Sequence, residues 1–244
     1  MGQFETLTKE LYEPDINPIL ARRHLQQAKE SVGSTYHAAQ VFGNPYPRPP
    51  TRTFWDTSLK GTNTIAWYLD PQEVKQEYPM EGLAIEREIG SEPIVAYNPR
   101  LLRSRNKNFI KAVDAHEKAH GGQQGKMKLK KIGAVTRYGP VPLGEMLIEG
   151  GVEWALDRYS EKSGVMPPSR YMDQMNGGLS LYGIYREFAH ELEGRQNGIL
   201  RQVYRAAARA GPRDVVRLLE TVPGIGEMVD KYAAKIHGPE MRRN

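Results

Sequence analysis

Residues 114–125 read DAHEKAHGGQQG, placing His116 and His120 four apart with Glu117 between them, in a chain of 244 residues with six histidines. Two side chains at that spacing work together only on an α-helix. At about 100° and 1.5 Å per residue they lie one turn apart on one face, about 6 Å apart along the axis. Phe109, Val113, His116 and His120 fall at i, i+4, i+7 and i+11, so one helical face carries all four. From about residue 106 onward the pattern is mostly helical.

Two imidazoles one turn apart can both reach one cation through bonds of about 2.1 Å. Glu117 sits at the edge of that face. It is badly placed to be a third ligand from the same turn and well placed to hydrogen-bond a water held by the metal. This is the arrangement of H-E-x-x-H, two metal ligands and a general base. Imidazole and carboxylate ligands suit zinc, and a tetrahedral site needs three protein ligands plus water, so the expected cofactor is Zn2+.

A third ligand has to come from elsewhere. Residues 143–163 read as a second helix, stopped by Gly164 and Pro167-Pro168. Glu145, Glu149 and Glu153 lie along one of its stripes, with no lysine four residues on to relieve their repulsion. A cation would relieve it. Gly150 and Gly151 lie mid-helix, where each costs about 1 kcal/mol relative to alanine. They make sense where another backbone packs closely, as in a crossing with the H-E-x-x-H helix.

An H-E-x-x-H followed by a glutamate on a second helix resembles the gluzincins, the thermolysin-type zinc peptidases. Thr136-Arg137-Tyr138-Gly139 followed by Glu145 and Glu149 is similar to the peptidase domain of anthrax lethal factor and its relatives. That resemblance covers residues 114–159 and implies Glu145 as third ligand and Tyr138 as the residue that stabilises the oxyanion. Ile148 stands where that family has alanine, and the spacing from His120 to Glu145 is shorter. A rival alignment resembles other gluzincins at Glu149-Gly150-Gly151-Val152-Glu153 and implies Glu149 instead. Either version implies an edge strand above the site that pairs with an extended substrate, and EPIVAYN (92–98), just upstream of the helix, fits that part.

The expected fold is α+β, mostly α and zincin-like. Residues 1–52 would form an N-terminal helical arm, with helices at 17–33 and 34–43 and the Pro-rich linker NPYPRPPTR (44–52). Residues 53–165 would be the catalytic core. There NTIAWYL, GLAIERE and EPIVAYN read as strands of a small sheet and DPQEVKQEY as a short helix, with a long loop over 121–142. Residues 166–244 would be helical, with helices near 179–193, 198–210, 213–221 and 227–236.

The expected function is hydrolysis of peptide bonds in a protein or peptide substrate by a metal-activated water. A second reading comes from LLETVPGIGEMVDKYAAKI (218–236), which resembles a helix-hairpin-helix whose Pro-Gly-Ile-Gly turn binds a DNA phosphate through backbone amides. With Arg209, Arg213 and Arg217 before it, residues 209–236 would give weak nucleic-acid contact in a DNA-associated or structural zinc-binding protein without proteolysis. The net charge of +5 is mild and demands no such partner. Lysine and arginine clusters at 101–108 and 126–131 read as solvated surface. His190 lacks a second histidine four residues on and reads as surface. Absence of cysteine excludes disulfides and thiolate ligands. No apolar run approaches a membrane span. MGQFETLTKELYEPD has neither a basic n-region nor an apolar h-region, which points to a cytoplasmic protein, with export by another route left open.

Overall fold

The computed structural model describes residues 33–62, 64–99 and 106–238. The expected helix 17–33 lies outside them except for Gly33, which belongs to α1 (Gly33–Phe42). The Pro-rich stretch that follows is an arm without regular structure. It lies against the end of the H-E-x-x-H segment, where the Arg48 amide donates to the Gly121 carbonyl at 2.8 Å. A Cβ on Gly121 would come within 2.3 Å of the Arg48 carbonyl oxygen, so this close approach requires glycine.

Three strands follow, β1 (Arg52–Trp55), β2 (Ala66–Leu69) and β3 (Ile94–Tyr97). Their order is β1-β3-β2, with β1 parallel and β2 antiparallel to β3. The strand within EPIVAYN is therefore the buried centre of the sheet, and among the described residues the open edge beside the site belongs to β2. GLAIERE is not a strand. It lies in α3 (Pro79–Ile89), which follows α2 (Pro71–Glu77). Pro79 starts α3 with its ring already at helical φ, Gly90 ends it at φ 86°, and Ala, Glu and Arg between them are good helix formers.

The H-E-x-x-H helix is α4 (Lys107–Ala119), capped by the Asn106 side chain, which accepts from the Asn108 and Phe109 amides at 3.1 Å. His120 is its C-cap and keeps helical dihedrals at φ −58° and ψ −28°. Residues 121–142 are more ordered than a loop. They hold the short helix α5 (Lys126–Leu129) and a hairpin of β4 (Ala134–Thr136) and β5 (Gly139–Val141), elements too short to leave a periodic pattern. Lys126 is not solvated surface either. It is 7% exposed, paired with Glu73 at 3.1 Å and stacked over the Tyr68 ring.

The glutamate helix α6 (Leu143–Ser163) ends where expected, at Gly164 in the left-handed conformation. The structure then opens a helix at the proline read as a stop: Pro168 is the first residue of α7 (Pro168–Asn176). Among the described residues four more helices follow, α8 (Leu181–Arg195), α9 (Ile199–Arg209), α10 (Pro212–Glu220) and α11 (Ile225–His237). The described residues are mostly helical with a small sheet, an α+β arrangement.

One large core joins side chains of α1, α4, α6 and α8 to α11, and so runs across the expected boundaries at 52 and 165. A smaller one places Phe109, Ile110 and Val113 of α4 against Trp55, Val95 and Tyr97 of the sheet. Thus α4 is clamped between the sheet and the helices. Helix α6 is buried on nearly all sides from Leu143 to Leu156. Gly150 does allow a close backbone approach, but the partner is α8. A Cβ there would meet the Tyr185 carbonyl oxygen at 2.2 Å. Among the described residues no helix is long and apolar enough to cross a membrane.

Candidate metal centre

His116, His120 and Glu149 form a group that could hold a metal ion, with one ligand atom of each lying within 4.8 Å of the others. Glu149 Oε2 lies 3.0 Å from His116 Nε2 and 3.4 Å from His120 Nε2. Tetrahedral ligands on bonds of 2.0–2.1 Å stand about 3.3 Å apart, so both separations are already near those of a metal site.

The far side of each imidazole is tied down. Glu153 Oε1 accepts from His116 Nδ1 at 2.7 Å, and Gln123 Oε1 lies 2.8 Å from His120 Nδ1. The Gln123 amide can face only one way. Its nitrogen donates to the Ile148 carbonyl at 2.7 Å and to the Tyr204 hydroxyl, which itself donates to the Leu147 carbonyl at 2.7 Å. Gln123 therefore offers an acceptor to His120, and Nδ1 must carry the proton. The Nε2 atoms of both rings face Glu149 at the candidate ligand position. Metal-ligating histidines are commonly oriented by such partners.

The acidic stripe on α6 splits by depth. Successive members at i+4 drift by about 40° around the helix. Glu145 stays exposed, Glu149 is partly covered, and Glu153 is fully buried. Glu145 lines the same cleft one turn earlier without joining the histidines. Glu153 lies behind His116 and also accepts from the Ser169 amide at 3.3 Å. Ser169 is in turn bonded by Arg186, which reaches Asp173 at 3.1 Å.

Charge in this group is strongly coupled. Burial disfavours ionisation of Glu149, but His120 and His116 outweigh it and hold its carboxyl well below the usual range. Burial also works against a charged His116, yet Glu149 and Glu153 push its pKa well up. Glu117, 8% exposed, is pushed up chiefly by burial.

Tyr138 is not brought to the group. It stands in the β4–β5 turn, 45% exposed under the Arg137 guanidinium, and lines none of the cavities beside the cluster. A different tyrosine does. Tyr182 of α8 packs edge-on against His116 with ring centroids 5.6 Å apart and lines the same cavities as Glu117. Burial and the three glutamates Glu149, Glu117 and Glu153 keep its hydroxyl protonated. Sequence reading could not find Tyr182 or Gln123, because no fixed spacing links them to the histidines.

No family model matches the chain, and no curated protein or solved structure is significantly similar to it.

Three other residues or segments stand away from the cluster or face elsewhere. Asp114 binds the Tyr97 hydroxyl and the buried Lys118 ammonium. His190 is a half-exposed partner of Asp157 at 2.8 Å. The Pro-Gly-Ile-Gly turn joins α10 to α11 as a helical hairpin, with Gly224 at φ 65° and the Pro223 carbonyl accepting from Arg195 at 2.8 Å.

The cleft itself follows β2. The Asn98 amide donates to the Ile65 carbonyl at 2.8 Å, which makes 65 and 98 a hydrogen-bonded pair. Antiparallel pairs alternate, so Trp67 and Leu69 also turn their backbone groups toward β3. The N–H and C=O groups of Ala66 and Tyr68 point the other way, to the open edge. Residues 64 and 66–68 line a cavity of about 410 Å³ together with Glu117, His120, Glu149 and Tyr182.

Proposed function

We propose that this protein is a zinc peptidase of gluzincin type. The observation that carries the reading is the convergence of two oriented imidazoles and a carboxylate at metal-ligand separations, with a buried glutamate beside them. His/His/Glu with a tetrahedral spread favours zinc. The open edge of β2 favours a peptide, because main-chain pairing accepts an extended chain of many sequences.

His116, His120 and Glu149 would hold the zinc, and Glu145 would not. Zinc, when bound, would supply Lewis acidity and lower the pKa of a bound water. Glu117 would accept a proton from the attacking water and pass it to the leaving amine. Tyr182 donates its hydroxyl hydrogen bond to the negative charge that develops on the substrate carbonyl oxygen. Glu153 and Gln123 keep the two imidazoles in the right tautomer.

The test begins with metal content. Purified protein is expected to carry about one zinc per chain, to keep it in Glu145→Ala, and to lose it in Glu149→Ala and His116→Ala. Glu117→Gln is expected to retain zinc and lose peptide cleavage by about 10²–10⁴-fold. Full cleavage by Glu117→Gln, or stoichiometric zinc in His116→Ala and His120→Ala alike, would overturn the reading.

A further inference from the structure

Arginines recur every four residues from 201 to 217: Arg201, Arg205 and Arg209 on α9, Arg213 and Arg217 on α10. Helix α9 buries Ile199, Leu200, Val203, Tyr204 and Ala207, and α10 buries Val215 and Leu219. At about 100° per residue the arginines fall on the opposite side of each helix, and all five are exposed. Against them the two helices carry two acids, Asp214 and Glu220.

The neighbouring helices treat their cations differently. On α8 and α11 every arginine and lysine has a carboxylate partner: Arg186 with Asp173, Arg195 and Lys231 with Glu191, and Lys235 with Glu187. In the row, Arg217 reaches Asp214 at 3.7 Å. Arg201 donates to the Gln40 and Val41 carbonyls at the end of α1. Among the described residues Arg205, Arg209 and Arg213 form no salt bridge. Like charges one helical turn apart repel, and a polyanion laid along them relieves that repulsion.

The guanidinium fork stays charged and matches phosphate bidentately. Members of the row on α9 stand about 6 Å apart along the axis and span about 12 Å. A duplex presents one negative charge per ~1.7 Å of its axis, so this rigid row meets several phosphates at once. The face also lacks an apolar anchor. Among the described residues Val216, 38% exposed, is the one large apolar side chain that α9 and α10 leave open to solvent. Protein interfaces and membrane-surface helices rely on such anchors, and single strands stack their bases on aromatic rings. A duplex held by its backbone needs neither.

We propose that Arg201, Arg205, Arg209, Arg213 and Arg217 form a docking surface for the sugar-phosphate backbone of duplex nucleic acid, bound without regard to base sequence. None of the five lines the cavities beside the metal cluster. The surface is therefore independent of the peptidase reading.

The experiment titrates the full chain into two fluorophore-labelled DNA duplexes of unrelated sequence and follows anisotropy across a salt series. Both duplexes are expected to bind alike. With Arg201 tied to α1, four phosphate contacts give a log–log salt slope of about −3.6, so tripling the salt weakens binding about 50-fold. Arg205→Gln, Arg209→Gln and Arg213→Gln combined are expected to weaken binding at least tenfold at low salt and to flatten the slope by about 2.7. Arg209→Gln alone, the milder variant should the triple one not fold, is expected to flatten it by about 0.9. Lys231→Gln combined with Lys235→Gln removes paired cations of α11 and is expected to change neither affinity nor slope. Polyglutamate and phosphatidylserine vesicles, at equal charge, are expected to compete at least tenfold less well than unlabelled duplex.

No binding at low salt, or an affinity and slope untouched by the arginine variants, would sink the proposal. So would polyglutamate or vesicles competing as well as the duplex, which would make the row a site for an acidic protein or a membrane. Zinc content and peptide cleavage are expected to stay at wild-type values in every one of these variants, so failure here leaves the peptidase reading as it was.

Discussion

Replacing Gln123 with leucine separates the histidine-locking network from the metal proposed for the site. Gln123 is 5% exposed and makes three hydrogen bonds, to His120, the Ile148 carbonyl and the Tyr204 hydroxyl. Leucine fills similar space and makes none. Tyr204 still donates to the Leu147 carbonyl, and the Ile148 carbonyl keeps its place in the α6 ladder. The His120 Nδ1–H, however, is stranded in a residue only 7% exposed. A stranded buried donor costs about 1–3 kcal/mol and each lost neutral bond about 1 kcal/mol. After the apolar gain of leucine, urea unfolding of the metal-free variant should show a loss of about 2–4 kcal/mol, a large share of the ~5–15 kcal/mol typical of a domain. His120 can escape by moving its proton to Nε2, which removes the lone pair a metal needs. Competition against a chromophoric chelator should therefore show zinc affinity weaker by about 10–100-fold. Reduced stability with wild-type zinc affinity would refute the tautomer argument. Unchanged values of both would mean that the network does not form.

Tyr182→Phe should lower kcat about 10²–10³-fold with KM and zinc content little changed, whereas Tyr138→Phe should leave peptide cleavage as it is; equal losses in both would return the oxyanion role to the hairpin. Gly150→Ala forces a Cβ into the Tyr185 carbonyl oxygen and should destabilise by at least about 1–3 kcal/mol in thermal unfolding, with an unchanged Tm speaking against the α6–α8 contact. Glu191 faces burial, which opposes its charge, but Lys231, Arg195 and Tyr232 outweigh that and hold its pKa down to about 2. A depressed carboxylate stabilises above its unfolded pKa of about 4.3 and loses that contribution as pH falls through the folded value. The stability gap between wild type and Glu191→Gln should thus be full above about pH 4.3 and close toward pH 2, and a gap independent of pH would contradict the ion pairs.

The helix that carries His116 and His120 was legible because their spacing admits one geometry. Helix α6 was legible to its last residue, because Gly164 supplies the left-handed stop. The choice among Glu145, Glu149 and Glu153 was not. All three share a stripe, and which member meets the histidines depends on how α4, α7 and α8 pack around α6, a fact no local pattern carries. Pro168 misled in part: it was weighed as a stop, while it opens a helix. The hairpin β4–β5 was missed because three-residue strands leave no alternation to see. EPIVAYN was legible as a strand, but its central place in the sheet is set by pairing with β1, forty-odd residues earlier.

The open edge of β2 has a consequence for the protein's own solubility. Unpaired strand edges are where chains join one another and aggregate, and proteins guard them by keeping them short or interrupting them. Here the strand is four residues long, and Asp70 and Pro71 close it by turning into a helix. Only Ala66 and Tyr68 face outward. On the proposed function two residues would suffice to grip a passing peptide, but they are too few to template a growing fibril. A longer edge would hold such a peptide more firmly and would also hold copies of the protein itself, so its brevity limits both at once.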